Sequence, residues 1–372
     1  MARMITGQAT AEGTARYAAR FAQLPAAHFR ELGGGPRLST LGMGTYLGPD
    51  DDATDGMYER AATRALERGI NVLDSAINYR HQRSERAVGA ALARLVARGA
   101  LARDEVFVAT KGGFIPFDRE VPGDAGAYFT ETYLRPGIVR PDDVVGGAHC
   151  MTPAFLRDQI ERSRANLGLA TIDLYYVHNP ETQLEEVDRP AFLDRVRAAF
   201  AALESAVGAG TIGAYGTATW NGYRQEPSAA GYLSLPELVD LAREVGGDDH
   251  HFRAIQLPYN LAMPEAFVLA NQKFSDGLVP TLEAARRLGV YVMASASVYQ
   301  GQLTRRLPGM VAEYLPGLDN DAQRAIQFVR STPGIGTALV GMKSVEHVED
   351  NARVARIPPA PWEQFQRFFA PA

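Results

Sequence analysis

Between residues 38 and 354 the sequence repeats one unit eight times: a short apolar run suited to a β-strand, then an amphipathic run of helix length. The strand and helix stretches are 38–45 with 53–68, 71–74 with 84–97, 106–110 with 153–167, and 173–177 with 190–207. They continue as 212–216 with 235–245, 254–257 with 279–288, 290–294 with 321–330, and 338–340 with 345–354. Gly69 and Gly168 follow two of the helical runs, where a helix C-cap favours glycine. Strands that are apolar throughout are buried on both faces, which implies a parallel sheet covered by helices. Eight such units close into an α/β barrel, the (β/α)8 or TIM barrel fold, more readily than they form an open sheet. An open, doubly wound sheet would need a glycine-rich turn between its first strand and helix. Gly33-Gly34-Gly35 is instead followed by Pro36 and another strand. The expected organisation is an N-terminal extension over 1–27, helical around 11–23, and one barrel domain over 28–372. A small hairpin from 28–30 and 36–38 precedes the first barrel strand and is placed to plug the barrel floor.

Composition narrows the function classes. An apolar fraction of 46% with 22% charged residues describes a globular chain with ample core, and a formal charge of −5 leaves no basic stripe for nucleic acid. The chain carries one cysteine, Cys150, which excludes an internal disulfide and a cysteine-based metal cluster. The adjacent His149 points away from it on any regular backbone, so the pair reads as structural and no metal is expected. No stretch is apolar enough for a membrane span. A cytoplasmic location is expected, with an organelle transit peptide as the lesser alternative because the first thirty or so residues are rich in Ala and Arg.

Three connections are longer than a barrel needs: 112–152, 225–234 and 263–276. All follow the C-terminal ends of strands, the catalytic face of such barrels, so they are expected to wall a substrate pocket. The first is rich in Pro, Gly, Tyr and Asp, and its Tyr128, Phe129, Tyr133, Arg135 and Arg140 suit either a polar or an apolar substrate.

Asp74, Tyr79, Lys111 and His178 stand at or just beyond strand ends, each interrupting an apolar context. Taken singly, each has a plain structural reading: a capping Asp, a packed Tyr, a solvated Lys or His. Taken together, they supply a proton-transfer set. A phenol titrates near 10, an ammonium beside it lowers that value, and a buried carboxylate keeps the ammonium charged. An imidazole can hydrogen-bond a carbonyl oxygen and hold it against the phenol.

The segment Asn71-Val72-Leu73-Asp74-Ser75-Ala76, followed by Tyr79 and Ser84-Glu85-Arg86, resembles the signature of the aldo-keto reductase superfamily. Asp and Tyr of its catalytic tetrad lie five positions apart, as they do here. Glu105 to Lys111 resembles the segment carrying the tetrad Lys, and Ile172 to His178 the one carrying the His. The resemblance runs in order from about Phe29 to about Ala355. It implies that Tyr79 is the general acid, Lys111 and Asp74 its tuning pair, and His178 the carbonyl orienter. Tyr46 and Trp220 join Tyr79 and His178 as expected pocket residues.

The same resemblance implies a nicotinamide cofactor lying extended across the barrel mouth, NADP with NAD as the alternative. Gly44 and Thr45 look like the segment touching the nicotinamide half, beside Asp74. Gln256 matches the residue that holds the carboxamide, and Gly301 and Leu303 resemble the loop over the pyrophosphate. Gly341, Lys343, His347 and Asn351 look like the last loop and helix around the adenosine, where Lys343 suits a 2′-phosphate. This chain departs from the pattern after the fifth strand, where Ala218 and Thr219 replace the usual Ser and Asn, with Asn221 two places on as a substitute. Ser295 stands where an aromatic usually stacks on the nicotinamide, and Tyr215, Trp220 and Tyr299 are the alternative rings. The implied activity is reduction of an aldehyde or ketone, or the reverse oxidation of an alcohol. A cofactor-binding regulatory or redox-sensing subunit, and an epimerase or isomerase using bound nicotinamide transiently, are the alternatives. The expected partner is a small carbonyl or alcohol substrate. Nucleic acid and membrane are excluded as partners, and the oligomeric state is left open.

Overall fold

The computed structural model describes residues 4–370. An initial helix, α1 (Ala11–Ala19), is capped by Thr10, whose side chain accepts from the Gly13 amide. It leads to an antiparallel hairpin of β1 (Phe29–Glu31) and β2 (Arg37–Ser39), which pair Phe29 with Ser39. The barrel proper starts at β3 (Leu41–Gly44) and runs through α2 (Asp52–Leu66), β4 (Val72–Asp74), α3 (Arg83–Ala97) and β5 (Phe107–Gly112). After a short helix, α4 (Ala125–Phe129), come α5 (Pro153–Leu167), β6 (Ile172–His178), α6 (Arg189–Gly208), β7 (Ile212–Ala218), α7 (Leu235–Gly246) and β8 (Phe252–Pro258). A short helix, α8 (Glu265–Val268), and a second hairpin, β9 (Ala270–Phe274) with β10 (Gly277–Pro280), precede α9 (Thr281–Arg287). The barrel closes with β11 (Tyr291–Ser295), α10 (Gly309–Tyr314), α11 (Asp321–Ser331), β12 (Thr337–Gly341) and α12 (Val345–Ala352), and a short helix, α13 (Trp362–Phe365), follows.

Strands β3 to β8, β11 and β12 pair in parallel around a closed eight-stranded barrel, with β11 against β8 and β12 against β3 completing the ring. The helices begin where the sequence supplies caps. Asp51, Thr152, Asp188, Ser234, Asn320 and Ser344 each accept a backbone N–H of the following turn, which satisfies donors a helix start leaves open. Gly168 ends α5 in the left-handed conformation.

Two apolar layers follow from the two-residue period of the strands. Val72, Phe107, Ala109, Leu174, Tyr176, Ala254, Met293 and Leu339 fill the barrel interior, joined from below by Leu32 and Leu38 of the hairpin. Leu73, Val108, Tyr175, Val177, Ile255 and Val292 point outward and pack under the helices. The hairpin thus does lie at the floor. The expected helix over 279–288 is shorter than its apolar run, because Val279 and Pro280 belong to β10. The stretch 263–276, expected to be irregular, carries α8 and most of the second hairpin.

Candidate active site

The same alternation carries polar side chains inward at the top of the barrel. One step above Val72 comes Asp74; one step above Phe107 and Ala109 comes Lys111; one step above Leu174 and Tyr176 comes His178. The register pairs Asp74 with Ala109, Lys111 with Tyr176, His178 with Ala218 and Ala218 with Gln256, so these ends converge.

Lys111 is fully buried; its Nζ donates to Asp74 Oδ2 at 2.7 Å and to the Ser75 carbonyl at 2.6 Å. Gln256 Nε2 donates to the other oxygen, Asp74 Oδ1, at 2.8 Å. Lys111 Nζ lies 4.7 Å from the centroid of the Tyr79 ring, which stands edge-on to His178 at 5.9 Å and to Tyr46 at 5.0 Å. Tyr79 rides on a turn fixed by bonds from the Ser75 and Ile77 amides to the Ala109 and Lys111 carbonyls. The next residues, Arg80, His81 and Gln82, all adopt positive φ (48°, 50° and 68°), a run that non-glycine residues rarely enter. The buried Arg80 guanidinium holds that turn down through Asp55 at 2.7 Å and the Pro49 carbonyl at 2.8 Å. Strain of this kind persists only where surrounding contacts over-determine it.

Burial pulls the Lys111 ammonium down, but Asp74 and Tyr79 outweigh it and hold it charged. Burial pushes the Asp74 carboxyl up against the opposing pull of Lys111 and Gln256. For Tyr79 the largest effect is again burial, which raises the phenol above its ordinary value despite the nearby ammonium. The lowering expected from Lys111 is therefore outweighed, and the phenol stays protonated through neutral pH. Burial, then the Lys111 and His149 neighbours, hold the His178 imidazole well below its ordinary value, hence neutral. Its Nδ1 is sealed in without a partner. A buried N–H without an acceptor is the costlier arrangement, so the proton belongs on Nε2.

Above these residues opens a cavity of about 960 Å³. Its lining takes in Asp74, Tyr79, His178 and Gln256, with Tyr46 and Trp220 at the mouth. Gly44, Thr45, Thr219, Ser295, Gly301 and Gly341 line it too, and His347 and Asn351 stand at the far end. Lys111 lies beneath the floor, reaching the site through Asp74. Three expected residues lie off the wall. Asn221 is exposed, with its amide turned to Glu181; Leu303 closes a turn onto the Val298 carbonyl; Lys343 is half-buried beside Gly48. Of the three candidate rings only Trp220 reaches the cavity. Tyr215 packs outside the barrel against Phe200 and Phe252, because its strand position points to the helices.

The long connections contribute less wall than expected. From 112–152 only Phe114 reaches the cavity, while Tyr128, Phe129, Tyr133, Val139 and Cys150 build a small core of their own with Phe155. Arg135 and Arg140 pair outside with Glu131 and Asp143. Neither 225–234 nor 263–276 touches the cavity; they pack on each other, as in Tyr232 to the Asn271 carbonyl at 2.6 Å. The wall comes instead from the stretch after β11, notably Gln300 and Arg305, and from Asn320 and Asp350. Asn78 and Asn179 also face it. Sequence reading missed these six. Asn179, directly after His178 and before Pro180, carried a turn signal; Arg305 sat unremarked two places past Leu303. Among the described residues no cluster of three or more metal-ligating side chains occurs, and no helix is long and apolar enough to cross a membrane.

The lining suits an elongated, polar, partly anionic ligand. Small residues, Gly44, Ala218, Ser295 and Gly341, line the cavity around its mouth and leave room there. Thr219 Oγ1 and Asn78 Oδ1 are buried without partners, and Arg305 makes no ion pair among the described residues. Asp350 at the other end is held by Asn320 and Gln323, each at 2.9 Å.

Comparison with known proteins agrees with the barrel fold. The model of the aldo/keto reductase family matches residues 40–308. The aldo-keto reductase family 1 member C23-like protein of Equus caballus is 27% identical over 150 residues, 40% of this chain and 34% of that protein. The match thus spans about a third of that curated relative's length. Among solved structures, the holo form of aldo-keto reductase AKR11C1 from Bacillus halodurans superposes with a TM-score of 0.62 at 21% identity, covering 92% of this chain and 95% of that one. An aldo/keto reductase from Klebsiella pneumoniae, in complex with NADP and acetate, gives 0.61 at 19%, covering 93% and 96%. The glycerol dehydrogenase AKR11B4 from Gluconobacter oxydans gives 0.59 at 20%, covering 92% and 94%. At these identities the structural likeness carries the barrel fold.

Proposed function

The chain belongs to the aldo/keto reductase family of NAD(P)-dependent oxidoreductases, and on that premise we propose that it is an NADP-dependent carbonyl reductase, or in reverse an alcohol dehydrogenase, with Tyr79 as general acid. The observation that carries the reading is the meeting of Asp74, Tyr79 and His178 at the floor of one cavity, with Lys111 bonded to Asp74 just beneath it. Such a cofactor, once bound, would supply a hydride, a proton with two electrons, to the carbonyl carbon. That a related Klebsiella pneumoniae structure holds NADP supports this choice of cofactor.

The residues of this chain do the rest. The His178 Nε2–H donates to the substrate oxygen, holds it near the phenol and makes the carbon more electrophilic. Tyr79 passes its proton to that oxygen as negative charge builds there. The Lys111 ammonium stabilises the phenolate left behind, and Asp74 keeps the ammonium charged and aimed. Gln256 holds Asp74 in turn and presents its remaining polar atom to the carboxamide end of the ligand. Thr219, on the wall near it, is read as a further neighbour of that end of the ligand. Arg305 serves the pyrophosphate, and Lys343, outside the wall, reaches a 2′-phosphate at the rim. Trp220 and Tyr46 flank the carbonyl substrate. The residues 28–372 act as one barrel domain, and a cytoplasmic setting suits the free, buried Cys150.

The test is loss of nicotinamide absorbance at its characteristic wavelength with NADPH and a panel of aldehydes and ketones. Steady turnover that vanishes in Tyr79→Phe supports the reading. Tight NADPH binding with no turnover on any carbonyl or alcohol would overturn it.

A further inference from the structure

The insertion 112–152 contributes one more side chain to the site from behind. His149 is fully buried, and its Nε2 lies 2.7 Å from the backbone carbonyl of His178. Its Nδ1 lies 2.8 Å from Gln183 Nε2, and the side-chain oxygen of Gln183 accepts from Arg195. The direction of this chain of bonds is fixed at both ends. A guanidinium can only donate, so the Gln183 oxygen faces Arg195 and its amide nitrogen must donate to His149. A carbonyl can only accept, so His149 must carry its proton on Nε2 and donate to His178. Each link has one consistent assignment.

The ring sits close. At Gly113 (φ 149°) a Cβ would fall 2.8 Å from the His178 carbonyl oxygen and 2.9 Å from His149 Nε2, so the chain passes there as glycine. Phe114 stands edge-on to His149 at 5.1 Å and to His178 at 5.2 Å. His178 has nothing on its own Nδ1 to steer its ring, and the residue after it, Asn179, turns sharply away at φ 45°. Its aim therefore depends on where the strand end is held and on the Phe114 edge.

We propose that His149 is a positioning residue for the carbonyl chemistry: by donating to the His178 backbone, and being held itself by Gln183 and Arg195, it fixes the imidazole that orients the substrate oxygen. The long insertion is tied to the reaction through this bond more than through its surface. The inference rests on the reading of His178 given above.

The test combines one measurement on the resting protein with two variants. Long-range proton–nitrogen NMR of the wild type should show neutral His149 protonated on Nε2; the Nδ1–H form would overturn the proposal, since no donor would face His178. His149→Phe keeps a ring but loses the donor, whereas His149→Gln places an amide N–H near the Nε2 position. With NADPH and 4-nitrobenzaldehyde, His149→Phe should lower kcat by about tenfold or more with KM for NADPH unchanged, since a small misplacement of a reacting group is costly. His149→Gln should stay within about threefold of wild type, and the His178 ring signals should move in the Phe variant and not in the Gln variant. Equal kcat and unmoved His178 signals in the two variants would overturn the proposal. Tyr79→Phe is measured alongside: if it too runs at the wild-type rate, the proposed function fails. If only His149→Phe does, the function stands and the role of His149 falls.

Discussion

Gln256 reaches across the barrel to donate to Asp74 at 2.8 Å, on the oxygen opposite the one that accepts Lys111. A single carboxylate thus joins the proton-transfer set to the residue expected to hold the cofactor, and both of its oxygens are occupied before any ligand arrives. Gln256→Leu leaves Asp74 Oδ1 buried without that donor. The expected cost is about 1–3 kcal/mol of folding stability in urea unfolding, with weaker NADPH binding in fluorescence titration. Unchanged binding with lowered stability would assign Gln256 to the structure alone.

The buried histidines set how stability responds to acid. Burial pulls His28 down to about 3 and His149 to about 4, and holds His178 well below its ordinary value. Below about pH 6.5 the unfolded chain takes up protons that the folded chain refuses, so the contribution is full above that pH and is lost on acidification. At about 1.4 kcal/mol per pH unit for each group, His28 and His149 together approach about 3 kcal/mol per unit between roughly pH 6 and 5, and His178 acts in the same direction. Urea midpoints measured from pH 7 to 4.5 should fall along that course, and a flat profile down to pH 5 would contradict it.

Catalysis should have a different profile. Because the phenol is held above its ordinary value and the imidazole below its own, neither changes protonation near neutrality. kcat for reduction should be level from about pH 6.5 to 9 and fall only above about 10, as Tyr79 gives up its proton. A limb centred near 7 would place another group in the rate-limiting proton transfer.

The two cations near the far end of the cavity separate by geometry. Arg305 is on the wall, so Arg305→Ala should weaken NADPH and NADH alike, by about tenfold or more for a lost charge-assisted contact. Lys343 lies off the wall beside Gly48, at the rim; Lys343→Ala should weaken NADPH by a similar factor and leave NADH nearly unchanged. Fluorescence titration of both variants with both cofactors decides it, and equal NADPH affinity in all three proteins would remove the phosphate assignments.

The barrel and the polar cluster at its floor were legible because both obey the strand period. Asp74, Lys111 and His178 each fall on the inward step above apolar residues, and that pattern is visible without coordinates. The wall was not legible, since loops have no period. The aromatics of 112–152 resembled a substrate pocket in composition, yet most of them bury one another, and only Phe114 faces the cavity. Arg305, Asn320 and Asp350 come from separate segments whose meeting depends on how the chain leaves β11 and enters α11 and α12. The apolar run at Val279 reads as helix only until the pairing of Val279 with Gln272 is seen.

The central claim is that Tyr79 donates the proton and Lys111 acts through it. Single-turnover reduction should be followed in Tyr79→Phe, Lys111→Met and the double variant, with folding and NADPH affinity checked in each. Each single change should slow the chemical step by about 10²–10⁴-fold while NADPH still binds. The double variant should be scarcely slower than the worse single one, because both changes act on one proton. A Tyr79→Phe protein within about threefold of wild type would remove Tyr79 from the mechanism, and fully multiplicative losses would separate Lys111 from it.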